Sequence, residues 1–149
     1  MKINITQFYL QVDVTYPFTY IFQRYLSRKV EALIEEKNDF LYKYPDYDYV
    51  FYISAKKEII APETKGPKIS KKDKKVMFSI FLCAPLAEIS IEENCRNALV
   101  QLLGCMSIIL EGQGYNIQKL RTEVNSILSE VMSNSEMFEF NCAPDLPVK

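Results

Sequence analysis

At 149 residues, 48% of them hydrophobic and 25% charged, the chain can bury about 70% of the surface it exposes when unfolded. That composition excludes a disordered chain and removes the need for disulfide or metal staples. A net charge of −1 leaves no global field to draw the chain to nucleic acid or membrane, and the absence of histidine removes the commonest general base and transition-metal ligand.

Residues 2–14 read as a strand. Ile3 and Ile5 take one parity while Phe8, Leu10, Val12 and Val14 take the other, which is what a β-bulge produces, since one extra residue flips every later side chain. Two short strands, or a strand apolar on both faces, would give the same pattern. Pro17 suits the first turn of a helix running to about Tyr42, with Thr15 or Tyr16 near its cap. Phe22, Leu26, Val30, Leu33 and Leu41 mark its buried stripe, and Arg24, Arg28, Glu31, Glu35 and Asn38 its solvated side. Tyr44-Pro45-Asp46 ends it, because the residue before a proline avoids helical angles.

Residues 47–55 predict a strand that is apolar on both faces, as a central strand must be. From Lys56 to Lys75 the chain carries eight lysines against Glu58, Glu63 and Asp73. Ile59-Ile60-Ala61 and Pro67-Lys68-Ile69 suggest edge-like extended structure there, bent at Gly66-Pro67 and kept from further pairing by lysine and proline. Val76, Phe78, Ile80 and Leu82 then share one face of a strand that Pro85 ends. Ser90 and Glu93 form a capping box, opening an apolar helix whose narrow polar side is Asn94, Asn97, Gln101 and Glu111. Gly112-Gln113-Gly114 stops it. A third helix follows from Asn116, striped by Ile117, Leu120, Val124, Ile127, Leu128 and Val131, and residues 137–140 read as a short strand.

These elements predict one α+β domain over 1–149, with a loose tail at 143–149. The expected sheet is largely antiparallel, with four to five strands in the order β-α-β-β-β-α-α-β and three helices packed against it. The first six residues alternate instead of forming an apolar run, so no signal peptide is read. No stretch approaches the roughly 20 apolar residues of a membrane span. The expected location is the cytoplasm.

No constellation names a reaction. Cys83, Cys95, Cys105 and Cys142 are spaced unlike any zinc pattern, and a cysteine nucleophile would lack its imidazole partner. Gly66, Gly104, Gly112 and Gly114 fit neither the P-loop nor the dinucleotide fingerprint. Adjacent carboxylates such as Glu35/Glu36 and Glu92/Glu93 point apart into water. The expectation is a protein with no catalytic residues, no metal and no cofactor.

Two surface segments invite partners. The lysine segment is either a solvated edge or a grip on an acidic partner or phosphate, with Lys65, Lys68, Lys71 and Lys72 as the candidates. It holds no aromatic residue, and single-stranded nucleic-acid sites interleave cations with stacking rings. The second segment is Tyr42 to Tyr49, continuing to Tyr52, where five tyrosines alternate with acids. Tyrosine gives large, stiff contact area with a polar tip, and neighbouring acids complement a basic surface. Tyr44, Asp46, Tyr47 and Asp48, with Glu35 and Asp39, are the candidate contacts with a protein partner. The alternative is that Tyr49 and Tyr52 are strand residues and the others coat the surface.

Tyr49-Val50-Phe51, Lys65-Gly66-Pro67 and the run Val76 to Leu82 ending at Pro85, set in the order strand, long helix, strand hairpin and two helices, resemble the small α+β immunity proteins of bacterial polymorphic-toxin systems. The resemblance implies a cytoplasmic, non-enzymatic protein that binds and blocks one cognate toxin domain. Partner-binding residues vary in such proteins, so it assigns none here. A nucleic-acid accessory role for Lys56–Lys75 is the alternative, and self-association is left open.

Overall fold

The architecture is seen in a computed structural model, which describes residues 3–9, 16, 18–36, 47–56 and 59–137. In chain order the elements are β1 (Ile3–Tyr9), α1 (Tyr20–Leu33), β2 (Glu35–Glu36), β3 (Asp48–Lys56), β4 (Glu63–Ser70), β5 (Lys75–Cys83), α2 (Ile91–Gly112), β6 (Tyr115–Asn116), α3 (Gln118–Thr122) and α4 (Val124–Met132). A 3-10 turn over Ser135–Met137 follows. The class is α+β.

Four strands form one sheet in the order β1-β3-β5-β4, and β2 with β6 makes a separate two-stranded ribbon. The junctions β1–β3 and β3–β5 are parallel and only β4–β5 is antiparallel. The expectation of a largely antiparallel sheet therefore holds at one junction of three. The edge-like extended structure read around Pro67-Lys68-Ile69 in the lysine segment is the edge strand β4. The chain leaves β3, runs back as β4 at the sheet edge, and turns through residues 71–74 into β5, which lies between them. Physical chemistry places them so: β3 and β5 are apolar enough for interior positions, whereas lysines and Pro67 fit β4 for an edge.

The bulge read from parity in the first strand is present, as a register shift in the β1–β3 pairing between Ile5 and Gln7. Helix α1 starts later than the expected first turn at Pro17, with its cap at Thr19 and not at Thr15 or Tyr16, and ends earlier than its apolar stripe suggests. Thr19 caps it, its hydroxyl oxygen accepting from the Phe22 N–H at 3.2 Å, and Ile34 is already extended. Glu35 and Glu36 then pair with Asn116 and Tyr115, so tertiary pairing overrides the helical pattern. Residues 37–46, where the rest of that helix was expected, lie outside the described residues.

Helix α2 follows its prediction at both ends. The Ser90 oxygen accepts from the Glu93 N–H at 3.0 Å, and Gly114 beyond the C-cap has φ +96°, the left-handed region that favours glycine. The expected third helix is two, α3 and α4, divided at Glu123. The short strand expected at 137–140 is not seen at its first residue, since Met137 closes the 3-10 turn; residues 138–149 lie outside the described ones.

One core joins these layers. Tyr49, Phe51 and Ile53 of β3 and Val76, Ile80 and Leu82 of β5 are buried together with Phe22, Leu26 and Val30 of α1 and with Leu99, Leu102 and Met106 of α2. Burying a side chain of this size contributes about 1.5–3 kcal/mol. Tyr49 is the largest fully buried one. It meets Tyr115 edge-on at 5.7 Å, and its hydroxyl donates to Gln113 Oε1 at 3.0 Å, so the ribbon end is tied to the sheet.

Candidate functional site

Strand parity defines the site. On β5 the even residues from Val76 to Leu82 face the core, so Met77, Ser79 and Phe81 face the other way and are half-buried. On β3 the same outward row holds Tyr52 and Ser54, directly opposite Ser79 and Phe81. Lys65 of β4 pairs with Ser79 from the other side and Lys68 with Met77. These side chains line a groove of about 560 Å³.

The chemistry of the groove is cationic and aromatic. Lys56 Nζ lies 4.3 Å and Lys65 Nζ 5.5 Å from the Phe81 ring centroid, inside the range in which a ring quadrupole attracts a cation. Tyr52 Oη lies 3.8 Å from Met77 Sδ. Gly66 lets β4 come this close. It has φ +125°, and a Cβ there would lie 2.8 Å from the Met77 carbonyl oxygen and 3.0 Å from Phe78 Cδ1. Its neighbourhood is also where the β4–β5 register shifts.

The predicted lysines divide between two places. Lys65 and Lys68 border the groove, whereas Lys71 and Lys72 are in the turn at the hairpin tip. Of the tyrosine–acid corner, Tyr44, Asp46 and Asp39 lie outside the described residues, and Glu35 is placed by its backbone pairing with Asn116. Tyr47 is half-buried against the core. Asp48 opens β3 opposite Lys75, its N–H donating to the Lys74 carbonyl at 2.9 Å, so acid and lysine segments meet there.

Sequence reasoning missed Met77 and Phe81, and named Lys56 and Tyr52 only as the ends of longer segments. The signal was present in the run Val76 to Leu82: with the even residues assigned to the core, Met and Phe at 77 and 81 are apolar side chains on the face the core does not use. The aromatic partners absent from the lysine segment come from the strands beside it.

A second cleft, of about 440 Å³, lies where β5 meets α2, around Cys83, Leu86 and Asn94. Its polar groups are engaged in holding the chain. Tyr16 Oη donates to the Cys83 carbonyl at 2.6 Å, the Cys83 N–H to Gln101 Oε1 at 2.9 Å, and the Cys83 thiol to the Ile60 carbonyl at 3.4 Å. Burial pushes the Cys83 thiol up from its ordinary value, the direction opposite to that of a reactive thiolate. Among the described residues, no group of three or more cysteine, aspartate or glutamate side chains is placed to hold a metal ion, and no helix is long and apolar enough to cross a membrane. Compared with protein-family models, with curated proteins and with solved structures, the chain matches none.

Proposed function

We propose that the protein is a non-enzymatic binding protein of the immunity type, which acts in the cytoplasm by holding one cognate toxin domain, and that it receives this partner on the groove of β3, β5 and β4. The observation that supports this is the Phe81 ring flanked by Lys56 and Lys65. A partner carboxylate drawn to those lysines sets the register, while an apolar side chain placed on Phe81 and Met77 supplies buried area. The partner surface is therefore acidic around an apolar centre.

The test is co-purification with the product of the neighbouring toxin gene, followed by affinity measurement on variants. Phe81→Ala and Lys65→Glu are expected to weaken binding at least about tenfold, the effect of losing about 1.4 kcal/mol. Lys71→Ala at the hairpin tip should leave it within about twofold. Wild-type affinity in both groove variants would overturn the proposed surface. If charge reversal of Asp46 and Asp48 abolished binding instead, the tyrosine–acid corner would be the docking site.

One observation favours a second reading. Phe81 and Tyr52 lie among Lys56, Lys65 and Lys68, which is the interleaving that single-stranded nucleic acid requires. Three phosphate contacts predict a log–log salt slope of about −2 for an oligonucleotide. No anisotropy change with oligo-dT at low salt would dispose of this reading.

A further inference from the structure

Helix α2 turns a stripe of Asn97, Val100, Gly104, Ile108 and Glu111 away from the core, all of them exposed. Ile108 is 67% and Val100 47% exposed, and nothing lies within 4 Å of where a Gly104 Cβ would stand. Of this stripe only Asn97 and Glu111 were expected on the polar side of the helix, and the exposed middle between them is apolar and flat. It is also symmetric about Gly104, with a β-branched side chain, Val100 or Ile108, four residues to either side and an amide–acid pair, Asn97 and Glu111, seven residues to either side.

We infer that this stripe is a self-docking surface on which two copies of the chain pack α2 against α2, antiparallel, with the two-fold axis at Gly104. A two-fold interface uses the same patch on both copies. Antiparallel packing sets Val100 of one copy against Ile108 of the other and Asn97 against Glu111, with the missing side chain at Gly104 letting the backbones approach. Charge selects this direction. Arg96 comes within one residue of the level of the other copy's Glu111, which also carries Arg121 at 3.3 Å, whereas parallel packing would set Arg96 on Arg96 and Glu111 on Glu111. The outward face from Asn97 to Glu111 is roughly 20 Å long and covers less than the roughly 800 Å² per partner of a standard interface, so the dimer forms at high protein concentration only.

Sedimentation velocity on the full chain, over a series up to about 1 mM, tests this. The parent protein is expected to dimerise with concentration, and Ile108→Asp and Gly104→Trp to weaken the dimer about tenfold or more while circular dichroism stays unchanged. Arg96→Glu or Glu111→Arg alone should weaken it and the two together restore it. In a Cys142→Ser background, Gly104→Cys should form an intermolecular disulfide on mild oxidation, because residues on the axis meet their own copies. A parent that stays monomeric throughout the series overturns the inference. So does a dimer that Ile108→Asp and Gly104→Trp leave intact, or one in which Gly104→Cys does not cross-link.

Discussion

Asn94 offers the sharpest check on how the segment between β5 and α2 is held. It was expected on the polar side of α2 but is 5% exposed. Its Oδ1 accepts from the Leu86 N–H and its Nδ2 donates to the Leu86 carbonyl, both at 2.8 Å. The side chain thus bonds the Leu86 backbone as a strand partner would. Asn94→Ala removes both bonds. At about 0.5–1.5 kcal/mol net per hydrogen bond, the pair contributes about 1–3 kcal/mol. The Leu86 side chain is exposed, so water replaces part of the loss and the expected cost is about 2 kcal/mol. In a domain of 149 residues that lowers the melting temperature by about 4–8 °C. Urea unfolding should show a lower midpoint with an unchanged slope, the mark of a stability change without a change in compactness. A loss below about 0.5 kcal/mol would mean that solvent serves Leu86 as well as Asn94 does, and the reasoning fails.

Other outcomes follow from single features. Gly66→Ala should cost about 2–4 kcal/mol, combining a disfavoured φ with overpacking against the Met77 carbonyl, and an unfolding midpoint equal to the parent's would contradict it. Tyr49→Phe removes the bond to Gln113 and should cost about 1 kcal/mol, which the same urea assay reads. Burial pushes the Cys95 thiol from 9 up to about 12, with Glu92 adding to it. The folded chain keeps a proton that the unfolded chain releases, so stability is unaffected below pH 9 and falls as pH rises from 9 to about 12. The fall is at most about 1.4 kcal/mol per pH unit for this one group. Tyr16, whose phenol burial also pushes up, adds a fall of the same sign at higher pH. Urea midpoints that rise across this window would refute the burial of both groups.

Much of the fold is legible where a local rule and the tertiary structure agree. Ser90 with Glu93 marks the start of α2, the parity switch in β1 marks its bulge, and the double-sided apolarity of Tyr49 to Ile53 marks a central strand. Legibility fails where a partner distant in sequence decides. The end of α1 is set by the pairing of Glu35 and Glu36 with Tyr115 and Asn116, some eighty residues away, and helix periodicity does not register that. Strand direction fails for a similar reason: the alternation of Val76 to Leu82 fixes a face but not which strand lies beside it. The groove was half legible. Lys65 and Lys68 are prominent in the sequence, but the ring they surround comes from β5, and only the β3–β5–β4 order brings Phe81 between Lys56 and Lys65.

The cap of α1 has a consequence for the order in which the molecule can be completed. The Thr19 N–H donates to the Met137 carbonyl at 3.1 Å and its hydroxyl to the Glu136 carbonyl at 2.7 Å, across 117 residues. On a translating ribosome, at about 5–20 residues per second, Thr19 waits roughly 6–24 s for these acceptors to be made. Until then only local contacts such as the Thr19 cap on Phe22 and the Gln23 N–H to the Thr19 carbonyl hold that helix end, and the sheet is itself unfinished before β5 emerges. Closure of this helix end thus waits for the last described turn, which leaves the nascent chain vulnerable to proteases and to misassociation until Met137 has emerged.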